Sequence, residues 1–150
     1  MRPANTKKTK RHLPHWSMDG ATYYITFRLK QGTLSKSERQ IVFDHITSGD
    51  PIYYRLFALV VMPDHVHLIA KPNPGIDLPR MSRGIKGVAA RKVNQSRKTT
   101  GPLWLGESFD RVVRSERELH EKAGYLIENP LRAGLVKELS GYPYLFCRAL

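Results

Sequence analysis

Two β-rich runs, 53–62 and 65–71, separated only by Pro63-Asp64, constrain what this chain can fold into more than any other feature. Both are dense in β-branched and aromatic residues, and Pro-Asp has the chemistry of a tight turn, so the runs are expected to pair antiparallel as a hairpin. Before the hairpin, residues 21–29 alternate Tyr24, Thr26 and Arg28 against Tyr23, Ile25, Phe27 and Leu29, a strand pattern with one buried face. Between that strand and the hairpin, Ser35 and Glu38 form a capping-box signature, and Ile41, Val42 and Ile46 supply an apolar stripe as far as Ser48-Gly49-Asp50. That predicts a helix of about three turns.

After the hairpin, three prolines and a glycine in 71–79 end the sheet. Met81, Ile85, Val88 and Ala89 then recur at helical spacing in a second helix that runs to about Arg97 and carries Arg80, Arg83, Lys86, Arg91 and Lys92. Residues 99–106 read as a loop containing Trp104, and 109–114 as a fourth strand. Ser115 caps a third helix with Glu116 and Glu118 in its first turn, where negative charge suits the helix dipole, and Asn129-Pro130 ends it. The order β-α-β-β-α-β-α predicts an α+β fold of ferredoxin-like (RRM-like) type, an antiparallel sheet with an additional C-terminal helix. One domain spanning 1–150 is expected, with 1–12 as a basic tail carrying Arg2, Lys7, Lys8, Lys10 and Arg11.

A hydrophobic fraction of 41% with 25% charged residues is a globular composition and excludes disordered and collagen-like classes. Twenty-five Lys and Arg against 13 Asp and Glu leave a net charge of +12, which makes nucleic acid the default partner. The longest apolar run, 56–62, is far too short to span a bilayer, and no apolar stretch of a secretion signal follows the basic N-terminus. Cys147 is the single cysteine, so no intrachain disulfide forms and a reducing compartment fits. No Gly-rich phosphate loop is present, so no nucleotide cofactor is expected. Four well-spaced ligands for a structural zinc are lacking too.

Two local patterns carry chemistry. In Met62-Pro63-Asp64-His65-Val66-His67-Leu68 the period of a strand puts both imidazoles on one face, where they can converge on a divalent metal. The alternative is a pair of sheet histidines without a ligand. In the last helix, Leu119, Ala123 and Leu126 fall within about 60° of one another, and Tyr125 lies about 130° from their centre. Tyr125 is therefore off the core stripe, and Asn129, one turn later, shares its face. Among the other tyrosines, Tyr23 and Tyr53 read as core or boundary residues, and a role for Tyr24 or Tyr54 stays open.

Together, Leu13-Pro14-His15-Trp16, Phe27-Arg28-Leu29, the 61–68 run, Trp104 with 109–114, and Tyr125-Leu126-Ile127-Glu128-Asn129-Pro130-Leu131-Arg132-Ala133-Gly134-Leu135-Val136 resemble the REP-associated tyrosine transposases. These are single-tyrosine members of the HUH endonuclease superfamily. The resemblance spans about 13–136 and implies a bacterial, cytoplasmic, nucleoid-associated enzyme that nicks and joins single-stranded DNA at hairpins of repetitive extragenic palindromes, as monomer or homodimer. It implies Mg²⁺ or Mn²⁺ at His65, His67 and Asn129, with Tyr125 as the nucleophile that forms a 5′-phosphotyrosine.

Candidate DNA contacts are Arg11, His15 and Trp16 near the N-terminus, Arg83, Lys86 and Arg91 of the second helix, and Trp104. Either tryptophan can stack a base; core packing is the stronger reading for Trp104. The chain departs from the family at Asp64, where asparagine is common, and at Leu105, where glutamine is frequent; an acid beside the metal is expected to alter metal preference or repel phosphate. The alternatives are a non-catalytic, RRM-like single-strand binder, against which no RNP-like run is found, and a degenerate transposase kept as a DNA-binding regulator.

Overall fold

The computed structural model describes residues 20–148. Its elements are β1 (Thr22–Arg28), α1 (Lys36–Ser48), β2 (Tyr54–Val61), β3 (His65–Pro72), α2 (Leu78–Arg97), β4 (Phe109–Val113), α3 (Glu116–Ile127), a single turn α4 (Asn129–Arg132), a 3₁₀ turn (Leu139–Gly141) and β5 (Leu145–Cys147). The sheet has the order β4-β1-β3-β2-β5 with every pair antiparallel. Its first four strands realise the ferredoxin-like arrangement expected from the sequence.

Strand periodicity divides the sheet into two faces, and register shows which residues share each. On one face lie Ile25 and Phe27 of β1, Val66 and Leu68 of β3 and Leu59 of β2, all buried. The helices α1 and α2 cover them through Val42 and Ile46 and through Met81, Ile85, Ala89 and Val93. On the other face Ile69, Ala58 and Val60 are buried under α3, whose inward residues are Ala123 and Leu126. Helices on both faces explain why the end of β2 is an unbroken apolar run instead of an alternation. Each fully buried Leu, Ile or Val contributes roughly 1.5–3 kcal/mol relative to exposure.

α3 covers only the β2–β3–β5 part of its face, and the remainder presents Tyr24, Thr26, Arg28, His65 and His67. The hairpin turn is fixed by backbone bonds: the Met62 amide donates to the His65 carbonyl at 2.8 Å, and the Leu29 and Leu34 amides donate to the carbonyls of Asp64 and Pro63.

The capping box of α1 is complete. The Glu38 amide donates to Ser35 Oγ at 3.2 Å, and the Ser35 amide donates to Glu38 Oε1 at 2.8 Å. Glu38 also accepts from Arg97 Nε at 2.7 Å, tying the start of α1 to the end of α2. At the other end of α1, a Cβ on Gly49 would overlap the phenol of Tyr54, whose hydroxyl donates to the Ile46 carbonyl at 2.7 Å. Glycine there is a packing requirement.

Three sequence expectations change. Tyr53 is 55% exposed and precedes β2, because its amide donates to the Gly49 carbonyl in the turn after α1. The C-terminal segment supplies a fifth strand, held by Arg148, which donates to the Leu56 carbonyl at 2.8 Å and pairs with Asp50. The third helix does end at Asn129-Pro130, with Glu128 as its C-cap, but one further turn, α4, follows that the sequence reading did not include. Arg11, His15 and Trp16 lie outside the described residues. Among the described residues no helix is long and apolar enough to cross a membrane.

Candidate active site

β3 sets His65 and His67 side by side, their ring centroids 4.7 Å apart and their planes at 81°. Each imidazole is oriented through Nδ1. That of His67 lies 2.8 Å from Thr26 Oγ1 and 3.4 Å from the Tyr24 hydroxyl, and that of His65 lies 2.7 Å from Asp64 Oδ1. Orientation of this kind reserves Nε2 for an incoming ligand. Asp64, the departure from the family pattern, thus anchors a histidine ring.

Burial pushes the pKa of His67 down to about 4, helped by the charges of His65, Arg28 and Arg132. The ring is therefore neutral at physiological pH, with a lone pair to offer. Burial, with a smaller contribution from Tyr125, pushes the Tyr24 phenol up to about 12, so it stays a neutral hydroxyl packed on His67 with ring centroids 5.8 Å apart.

α3 presents Tyr125 beside this group. Ser115 Oγ accepts from the Glu118 amide to cap the helix, Ala123 and Leu126 face the sheet, and Tyr125 is 59% exposed. Arg132, on the added turn, folds back over the nucleophile candidate. Its guanidinium carbon sits 3.8 Å from the centroid of the Tyr125 ring, one of its nitrogens donates to the Tyr125 carbonyl at 2.6 Å, and the other lies 3.5 Å from Glu128 Oε1. Tyr125 and Arg132 both act electrostatically on Tyr24, and Arg132 also acts on His67, which places the tyrosine helix and the histidine strand in one neighbourhood. Asn129 opens α4, half-buried, one turn beyond Tyr125.

The other candidates divide. Arg83 and Arg91 are exposed on α2, on the opposite face of the sheet from the histidines. Lys86, expected as a phosphate contact, is turned inward: its Nζ sits 5.8 Å from the Phe27 ring centroid, and burial lowers its pKa against the opposing pull of Asp110. Trp104, weighed as a base-stacking residue, is 6% exposed, meets Phe27 edge-on at 4.7 Å and donates through Nε1 to the Lys86 carbonyl at 2.9 Å. Both pack against Phe27, which lies on the α2 side of the sheet; Trp104 is buried and Lys86 half-buried.

Sequence reasoning missed Arg28 and Arg132. Strand alternation puts Arg28 on the face of Tyr24 and Thr26, and register sets it opposite His65. Arg132 follows Tyr125 by seven residues, two helical turns, a spacing that held the signal but was masked by the apparent stop at Asn129-Pro130.

The antiparallel sheet presents paired histidines beside an exposed, helix-borne tyrosine, and the family match places the chain among the DNA-processing tyrosine transposases. The chain belongs to the IS200-like transposase family, which it matches over residues 35–112. That stretch holds both histidines; Tyr125 and Asn129 lie beyond it. A protein of Haemophilus influenzae, provisionally named a REP-associated tyrosine transposase, is 20% identical over 143 residues, covering 83% of this chain and 78% of its own. In structure, the chain matches a REP-associated tyrosine transposase bound to a REP hairpin, with a TM-score of 0.73 and 21% identity over 93% of this chain and 82% of the other. It also matches a provisionally assigned transposase of Deinococcus radiodurans, with a TM-score of 0.50 and 24% identity over 83% of this chain and 97% of the other. Both likenesses concern the fold.

Proposed function

We propose that this chain is a metal-dependent single-stranded DNA endonuclease and strand transferase that acts at REP-like hairpins through a 5′-phosphotyrosine at Tyr125. The observation that carries the reading is the exposed Tyr125, gripped by Arg132 and set beside two histidines whose Nδ1 atoms are already engaged. Membership of a transposase family supports it, as does the likeness in fold to a hairpin-bound protein.

The residues present fit a divalent cation. Two neutral-capable imidazoles with oriented rings suit Mn²⁺ or Mg²⁺ ligation. Among the described residues no group of three or more His, Cys, Asp and Glu gathers for a metal, so the amide oxygen of Asn129 and substrate oxygens are assigned to complete the set with His65 and His67. When bound, the cation polarises a non-bridging oxygen of the scissile phosphate.

The chain's own groups do the rest. The Tyr125 oxygen, on losing its proton to solvent, forms a bond to phosphorus. The bond from phosphorus to the 3′-oxygen of the preceding nucleotide breaks, and that oxygen takes up a proton. The DNA is left as a 5′-phosphotyrosine and a free 3′-hydroxyl. Attack by a 3′-hydroxyl reverses the step and joins strands without ATP. Arg132 restrains the Tyr125 ring and places positive charge where the phosphodiester arrives.

Incubation with labelled hairpin-bearing single-stranded DNA and Mg²⁺ or Mn²⁺ tests the proposal. A denaturant-resistant protein–DNA adduct is expected from wild type and not from Tyr125→Phe. His65→Ala is expected to abolish metal-dependent cleavage while hairpin binding persists. Binding with no adduct on any hairpin would sink the enzyme reading and leave a DNA-binding regulator.

A further inference from the structure

The histidine-bearing face of the sheet continues past His67 to an edge strand that the chemistry above does not use. β4 is that edge, paired with β1. Register sets Phe109 opposite Thr26 and Arg111 opposite Tyr24. Those are the two residues whose hydroxyls meet His67 Nδ1. Directly opposed residues of antiparallel strands share a face with Cβ atoms about 5 Å apart. Phe109 and Arg111 therefore flank the groups that orient His67, two strands from it, about 10 Å away.

Phe109 is 56% exposed, an unusual place for a phenylalanine on an ordered strand. The guanidinium carbon of the exposed Arg111 lies 5.4 Å from its ring centroid. By alternation, the residues that β1 and β4 present on this face are Thr22, Tyr24, Thr26, Arg28, Phe109, Arg111 and Val113, with no acid among them. The single acid of β4, Asp110, points to the other face, where it acts on Lys86. An exposed ring in a cationic, acid-free strip suits a planar base on an anionic backbone. Stacking of splayed bases on sheet aromatics is how antiparallel sheets hold single strands.

We propose that Phe109 and Arg111 form a nucleobase subsite for single-stranded DNA: Phe109 stacks a base within a nucleotide or two of the phosphate held at His65 and His67, and Arg111 neutralises the adjoining phosphate. The subsite rests on the reading of the histidine face as a DNA site, and its test is an equilibrium measurement that needs no cleavage.

The probe is a synthetic REP-type DNA hairpin with short single-stranded flanks, carrying 2-aminopurine at each flank position in turn. At one flank position the wild-type chain is expected to quench the fluorescence on binding. Phe109→Ala and Phe109→Leu should abolish that quench and weaken binding about 5- to 100-fold, and Phe109→Trp should retain it. An abasic residue at that position should weaken wild type by a similar factor and add nothing to the loss in Phe109→Ala. Wild-type affinity and quenching in Phe109→Ala, rescue by Leu, or additive losses in the abasic cycle would overturn the subsite. Adduct formation is scored separately: Phe109-dependent quenching without an adduct leaves the subsite standing and removes the enzyme reading, and the reverse pattern does the opposite.

Discussion

His67 shows how one residue is tuned by its neighbours. Unfolded, it titrates near 6.5; folded, desolvation holds it at about 4. As pH falls, the unfolded chain therefore takes up the proton first. In metal-free protein, stability is lost between about pH 6.5 and about 4, by on the order of 3 kcal/mol. His45, also lowered by burial, adds to the same slope. Urea unfolding at pH 7 and at pH 4.5 checks this, and His67→Gln should flatten the difference. Equal slopes in both proteins would contradict the assignment.

Arg132 makes a second prediction at this scale. A solvent-exposed cation–π contact together with a hydrogen bond is worth about 1–2 kcal/mol, so Arg132→Ala should slow adduct formation roughly 5- to 30-fold. Hairpin affinity should stay within about twofold. Arg132→Lys keeps the charge without the planar fork and should recover only part of the rate. A loss confined to affinity would show that Arg132 grips DNA and does not position Tyr125.

Among the elements, the strands and long helices were legible because each has a regular period. The hairpin turn, the capping box of α1 and the off-stripe angle of Tyr125 all follow from local chemistry, and the structure reproduces them. β5 was not legible: three residues carry too little pattern, and long-range bonds from Arg148 to Leu56 and Asp50 hold it. The single turn α4 was hidden because proline both stops one helix and starts the next. The sequence favoured core packing for Trp104 and the structure buries it, whereas the packing of the half-buried Lys86 against Phe27 was not legible because it depends on where Phe27 sits across the fold.

Packing at the end of α1 can be tested directly. Gly49→Ala pushes a methyl into the Tyr54 phenol and its bond to Ile46. A loss of about 1–3 kcal/mol is expected in the denaturation midpoint. No loss would mean that Tyr54 can move aside.

Over the whole molecule, the sheet separates two sets of residues. The exposed arginines of α2 stand on one side, and His65, His67, Tyr125 and Arg132 stand on the other. If the net charge of +12 serves as the grip on DNA, substituting Arg83 and Arg91 together by Ala should reduce the salt slope of hairpin binding by about 2. Lys86→Met should leave that slope unchanged, since its half-buried ammonium lies over the Phe27 ring. The rate of adduct formation from bound complex should be untouched in both variants. A drop in that rate would join the two faces into one site.

The chemistry proposed for this chain turns on a single oxygen atom, that of the Tyr125 phenol. Trypsin digestion of a DNA–protein adduct, followed by mass spectrometry of the nucleotide-bearing peptide, locates it. A 5′-phosphonucleotide is expected on Tyr125 and on no other residue; attachment to Tyr24, Tyr53 or any other side chain would show that Tyr125 is not the nucleophile.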